Sequence, residues 1–178
     1  MTKTEYDYIV VGAGSAGAVL ANRLSESGEY KVLCLEAGTE GSSYFWSRVP
    51  IGMAKLINRP AVNWCFSSEP DEGSGGRRIP IPRGKMLGGS SSINGMVFVR
   101  GQPQDYDHWA QLGNRGWSYS DVLPIFKKME SYDGGSNETR GRDGILRVTD
   151  ETPDICPLHD RMIAAAEKIG IPYTKDYN

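Results

Sequence analysis

A chain of 178 residues with 20 basic and 22 acidic side chains has a formal net charge of −2, which leaves no general pull toward nucleic acid or an anionic membrane. Its length suits one ordinary domain or a large piece of one; no apolar run approaches the ~20 residues of a membrane helix, no signal-peptide pattern opens the chain, and a cytoplasmic protein is expected. Cys34, Cys65 and Cys156 form no C-x-x-C pair and His108 and His159 are the only histidines, so partly buried reduced thiols are expected and neither disulfides nor a metal centre.

Tyr8 to Val11 is a continuous apolar, β-branched run, the pattern of a strand buried on both faces. Ala16, Val19, Leu20 and Leu24 then recur at helical spacing as one stripe, Gly28 closes that helix, and residues 31–35 read as a second buried strand. Strand, helix and strand over 5–38 make a βαβ unit with a right-handed crossover. Residues 38–63 hold no sustained period and read mostly as loop, with a short helix near Gly52 to Leu56. Trp64 to Ser67 is a candidate strand, residues 70–78 an exposed turn, and Pro80 and Pro82 keep their neighbours extended.

The second half reads as helices in pieces. Residues 102–113 can form a short helix ending at Gly113. Val122, Ile125, Phe126 and Met129 share a face of another, capped by Ser118 or Ser120, with Pro124 tolerable only near its first turn. A strand is expected in "DGILRVTD". A last helix should start near Pro157, carry Leu158, Met162, Ala165 and Ile169 on one face, and stop at Gly170 and Pro172.

The first chemical signal is Gly12-Ala13-Gly14-Ser15-Ala16-Gly17, a G-x-G-x-x-G match placed between a strand and a helix, where its mechanics require it. Gly12 permits the tight turn, Gly14 lets a pyrophosphate approach the backbone, and Gly17 lets the helix pack close. The free N–H groups and dipole at the helix start favour the diphosphate. Glu36, at the end of the second strand, is placed to accept hydrogen bonds from an adenosine ribose and to repel a 2′-phosphate, which argues against NADP. An ADP-containing dinucleotide is expected.

A second glycine-rich passage follows, "RGKMLGGSSSINGM" from Arg83 to Met96. An NAD site would call for a second βαβ unit soon after the first; two separate backbone cradles suit a longer ligand, FAD. Gly88 and Gly89 remove side chains so that backbone can approach it. Ser90 to Ser92 supply hydroxyls and a cap for a short helix. Asn94 offers donor and acceptor, and Gly95, Met96 and Val97 could lie along the isoalloxazine edge. Arg83 and Lys85 are either phosphate contacts or exposed loop charges, and Trp64 either flanks the flavin or packs. His108 and His159 read as surface residues.

At "GKMLGGSSSINGMVFVRGQPQDYD", Gly84 to Asp107, the chain resembles the glucose-methanol-choline (GMC) flavoprotein oxidoreductases. The match takes in Lys85, Leu87, Gly88-Gly89, Ser90-Ser91, Ile93, Asn94, Phe98, Gly101 and Asp107. "GWSYSDVLPIFKKME" and Asn63-Trp64 also look like bacterial choline or alcohol dehydrogenases. The resemblance implies an α/β fold: a partial FAD-binding, Rossmann-like domain with the beginning of an α+β substrate or lid region, the cradle over 79–107 and the helical lid region from 108 to 178. Ala37 and Met86 join the residues named above as implied cofactor contacts. Where some relatives carry a histidine bonded covalently to the flavin, this chain has Ile93, so FAD is expected to be non-covalent.

The family implies hydride transfer from a small-molecule alcohol to the flavin, with a histidine far toward the C-terminus as base. No residue here matches that base, so no catalytic residue is assigned. Two parallel strands cannot bury a doubly wound sheet on both faces. The chain therefore reads as an N-terminal piece with exposed apolar faces, weak flavin retention and no turnover alone. The leading expectation is the flavin-binding part of a dehydrogenase for a primary alcohol such as choline, with an electron acceptor other than oxygen. Hydroxynitrile lyase chemistry, light-driven decarboxylation of fatty acids and a truncated, non-catalytic remnant are the alternatives, and an NAD-linked dehydrogenase ranks last.

Overall fold

Strand β1 (Tyr8–Val11) pairs in parallel with β2 (Val32–Leu35), from Tyr8 opposite Val32 to Val11 opposite Leu35, and helix α1 (Ser15–Ser25) crosses between them. This is the expected βαβ unit, in a computed structural model that describes residues 5–41, 44–150 and 156–174. The chain divides into two units, Met1–Val97 and Phe98–Asn178. The passage 79–107 thus straddles the division, and Phe98, Gly101 and Asp107 fall in the second unit.

The βαβ unit departs from its expected burial. Only Val10 of β1 is buried, while Ile9 and Val11 are 60% and 83% exposed. Among the described residues each strand has a single partner, and α1 covers one face of the pair. Of the expected apolar stripe of α1 only Leu24 is partly buried; Ala16, Val19 and Leu20 are exposed, and Gly17 and Ala21 are the other partly buried positions. Small residues win that face because the helix lies almost on the first turn. A Cβ on Gly17 would sit 1.8 Å from the Gly12 carbonyl oxygen and 3.3 Å from Val10 Cγ1.

The apolar core of the first unit lies elsewhere. Leu56, Val62, Met86 and Ile93 pack together with Tyr44 against them. The 38–63 stretch builds much of it, through 3₁₀ turns at Phe45–Arg48 and Pro50–Gly52, where loop was expected, and helix α2 (Met53–Leu56), the short helix expected near Gly52 to Leu56. A minimal hairpin follows, β3 (Phe66–Ser67) antiparallel to β4 (Pro80–Ile81). The strand starts later than expected because Cys65 has φ of +53°. The Asn63 side-chain oxygen accepts the Cys65 N–H at 2.9 Å, a local bond that competes with extended pairing.

In the second unit α3 (Pro103–Gln111) and α4 (Tyr119–Met129) pack through aromatic rings, Tyr106 touching Trp109, Tyr119 and Phe126. Ser118 is the cap of α4: its Oγ accepts the Asp121 N–H at 3.3 Å, and the Asp121 carboxylate accepts the Ser118 N–H at 3.1 Å. Pro124 sits in the second turn, later than expected, and the helix continues past it. Strand β5 (Glu130–Tyr132) runs parallel to β6 (Leu146–Val148). Glu130, fully buried, binds Arg100 Nη2 at 2.6 Å and Arg140 Nη1 at 3.0 Å. Helix α5 (Pro157–Lys168) ends before Gly170, whose φ is +89°.

All three cysteines are free and exposed, where partial burial was expected. Among the described residues no group of His, Cys, Asp and Glu could hold a metal, and no helix is long and apolar enough to cross a membrane.

Candidate functional site: two glycine loops on one groove

A groove of about 860 Å³ opens in the first unit. Gly12, Gly14, Ser15, Ala16 and Gly17 line it from the first loop, Glu36 and Ala37 from the end of β2, Trp64 and Phe66 from β3 and its approach, and Arg83, Gly84, Gly89 and Ser90 from the second passage. The two glycine-rich loops therefore share one space. They also touch: a Cβ on Gly89, which has φ of +58°, would lie 2.9 Å from Gly14 Cα.

The first loop leaves donors open. The α1 N-cap is Gly14, no side chain caps the helix, and its first turn holds no acid. The N–H groups of Ser15, Ala16 and Gly17 precede the first intrahelical bond, from Ala18 N–H to Gly14 O at 2.9 Å. Unfilled donors, a favourable dipole and absent side chains fit the diphosphate of a dinucleotide.

Glu36 differs from the free ribose acceptor read from the sequence. Its Oε2 accepts the Ala13 N–H and its Oε1 the Gly38 N–H, each at 2.9 Å. A carboxylate has lone pairs to spare for hydroxyls after two such bonds. Ala13 is itself buried, and its carbonyl accepts the Gly88 N–H at 2.8 Å. Ala13 and Gly88 therefore brace the loops and do not line the groove.

The serines also act differently from expectation. The 3₁₀ turn Gly89–Ser92 has Gly88 as its N-cap and no side-chain cap. Ser91 Oγ donates to Gly88 O at 2.6 Å and Ser92 Oγ to Leu87 O at 2.8 Å, while Ser90 Oγ accepts the Gly84 N–H at 3.2 Å. These hydroxyls tie down their own loop.

Several expected contacts lie outside the groove. The Met86 side chain is buried in the core, so only its backbone is left for a cofactor. Asn94, Gly95, Met96 and Val97 are exposed and do not line the groove; Asn94 Oδ1 accepts the Met96 N–H at 3.0 Å, and Met96 has φ of +59°. His108 and His159 are exposed and belong to the second unit, as surface positions should.

Sequence reasoning missed Phe66 and Asn63. The Phe66 ring stacks on Trp64, with centroids 5.8 Å apart and planes 7° from parallel, and Lys85 Nζ lies 4.6 Å from the Trp64 centroid. The i, i+2 spacing of two aromatics in the expected strand Trp64 to Ser67 was the available signal, although the left-handed Cys65 between them departs from extended backbone. Asn63 is 2% exposed; its amide donates to Ile57 O, and its oxygen accepts the Cys65 and Arg83 N–H groups at 2.9 Å each. One buried amide thus joins three stretches at the Trp64 wall, and nothing in composition marks an asparagine for that task.

The sequence profile of the GMC oxidoreductases matches residues 6–178. The chain belongs to the GMC oxidoreductase family. Among curated GMC relatives, the oxygen-dependent choline dehydrogenase of Brucella anthropi is 45% identical over 174 residues, 98% of this chain and 31% of that protein. That of Photobacterium profundum is 46% identical over 176 residues, with the same coverage. Among solved structures, pyridoxine 4-oxidase from Mesorbium loti superposes with a TM-score of 0.86 at 32% identity, over 98% of this chain and 34% of that one. A formate oxidase gives 0.79 at 27% identity, over 96% and 31%. The chain therefore spans about a third of the length of these GMC proteins.

Proposed function

We propose that this chain is the FAD-binding part of a GMC enzyme that oxidises the CH–OH group of a small, choline-like alcohol. The meeting of both glycine loops on one groove, with Gly14 against Gly89, carries the reading. A dinucleotide diphosphate would lie on the N–H groups of Ser15 to Gly17, and Glu36 would take the ribose hydroxyls. Arg83 is the cation among the groove-lining residues and would balance phosphate charge. Bound flavin would supply the acceptor for the hydride that leaves the alcohol carbon.

The protein's own share in this reading is to hold and orient. Gly12, Gly14, Gly17 and Gly89 keep Cβ atoms out of the approach, and the stacked Trp64 and Phe66 rings form an apolar wall of the groove. Ile93 supports non-covalent FAD: it is 4% exposed in the aliphatic core and carries no nucleophile. The groove holds no histidine, and Ile9 and Val11 stay exposed. Residues 1–178 alone should therefore bind flavin weakly and turn over no alcohol. Both relatives above are oxygen-dependent by name, which supports dioxygen as a candidate acceptor beside the acceptor other than oxygen expected from the sequence.

The test is flavin chemistry on the intact protein. Yellow supernatant after acid precipitation, and anaerobic bleaching of the flavin by choline, are the expected results. Colour kept in the pellet removes the non-covalent assignment; a flavin that no alcohol bleaches removes the oxidoreductase reading.

A further inference from the structure

The hydrogen bonds of Glu36 belong to a closed circuit. Glu36 Oε2 holds the Ala13 N–H at 2.9 Å, and the Ala13 carbonyl holds the Gly88 N–H at 2.8 Å. The neighbouring Leu87 N–H bonds the Thr39 carbonyl at 2.8 Å, Thr39 follows Gly38, and the Gly38 N–H returns to Glu36 Oε1 at 2.9 Å. Thr39 also forms a β-bridge with Met86. One carboxylate therefore connects the first glycine loop, the end of β2 and the second glycine loop.

We propose that Glu36 is the positioning residue for the second glycine loop: its carboxylate sets the spacing between the two loops, so ribose recognition and the grip on the diphosphate are coupled through one side chain. The proposal rests on the FAD reading for its ligand, but the circuit itself exists in the protein alone. Three features support it. The serine hydroxyls fix the second loop's local shape, but its placement against the first loop and the end of β2 rests on the Gly88 N–H bond to Ala13 O and the Leu87 N–H bond to Thr39 O. A carboxylate that accepts two backbone N–H groups makes charge-assisted bonds, stronger than neutral ones. And the circuit is closed by backbone contact at Gly38, where a Cβ would lie 1.9 Å from the Lys85 carbonyl oxygen and 2.5 Å from Met86 N.

Two substitutions open the circuit differently. In Glu36→Gln, an amide NH₂ faces one of two N–H donors, so one bond is lost with size unchanged. In Gly38→Ala, the carboxylate stays but the backbone contact cannot. Amide hydrogen exchange is measured on the intact protein without nucleotide. The Leu87 and Gly88 amides should exchange about tenfold faster in both variants, while the Tyr132 and Gly144 amides, bonded around β5, keep their rates. Wild-type rates at Leu87 and Gly88 in Glu36→Gln overturn the proposal, and so does acceleration shared equally by Tyr132 and Gly144. If Gly38→Ala does not fold, the isosteric Glu36→Gln decides.

A second readout separates positioning from ribose contact. Glu36→Gln is titrated with AMP and with FAD. A residue that touches ribose alone weakens both by one factor; the circuit requires a further factor of about ten for FAD. Equal factors overturn the coupling. A wild-type protein that binds AMP but not FAD removes the flavin reading, and exchange at Leu87 and Gly88 still judges the circuit.

Discussion

Two glutamates, one in each unit, show how differently the two regions treat polar groups. Glu130 is fully buried and saturated: Arg100, Arg140 and the Gly141 N–H at 2.8 Å all bond it. Glu36 is half-buried at the groove, holds two backbone N–H groups, and has no ion-pair partner among the described residues. The helix starts repeat the contrast. Helix α4 carries a complete capping box, Ser118 with Asp121, and at the start of α3 the Asp105 carboxylate accepts the Gln102 N–H at 2.9 Å, whereas α1 has neither cap nor acid. A region that satisfies its polar groups internally serves as frame. One that leaves donors and lone pairs open at a concave surface is set up for a polar ligand.

The largest expected effect belongs to the saturated side. Glu130→Ala strands two nearly buried arginines, one of which, Arg100, already has an unpartnered buried Nε. It should cost about 3 to 5 kcal/mol of stability in denaturant unfolding. A cost comparable to that of an exposed pair would break the contrast.

On the open side, Gly14→Asp should split stability from binding. Gly14 has φ of −78°, and a Cβ there would lie 3.8 Å from Gly89 Cα, an ordinary contact. The new carboxylate can cap α1, raising the stability of the nucleotide-free protein. Its charge occupies the place meant for the diphosphate, and flavin affinity should fall by about 2 kcal/mol or more. Paired thermal melts and flavin titrations check the opposite signs; parallel changes would show that α1 was not left open for an anion. Ser118→Ala is the smallest and sharpens the frame assignment. Losing that cap should cost about 1 kcal/mol of stability with unchanged flavin affinity in the same titration.

The open loops were legible because they obey local rules. G-x-G-x-x-G between a β-branched run and a helical stripe locates a βαβ unit wherever it occurs, and Gly12, Gly14 and Gly17 stand where those rules put them. The cap of α4 was likewise legible as Ser118 or Ser120, and the structure uses Ser118 with Asp121 three residues on. In the 38–63 stretch only the short helix ending at Leu56 was legible; the 3₁₀ turns leave no period to detect, and the entry of Leu56 and Val62 into the core was not legible. Close packing at Gly17 was legible from the motif, but the hydrophobic stripe of α1 was not its inward face: Ala21 beside Gly17 takes the place expected for Val19 and Leu20, by closeness to the strand.

Chain order and residue type alone were enough to place the two glycine-rich loops, the acidic residue after β2 and the family likeness, because turn geometry and helix capping act between near neighbours. That the loops meet at Gly14 and Gly89, that Glu36 ties them, and that Met86 and Ile93 turn into the core were decided by the fold. Those contacts join residues tens of positions apart, and their cost and gain depend on where packing brings backbone against backbone.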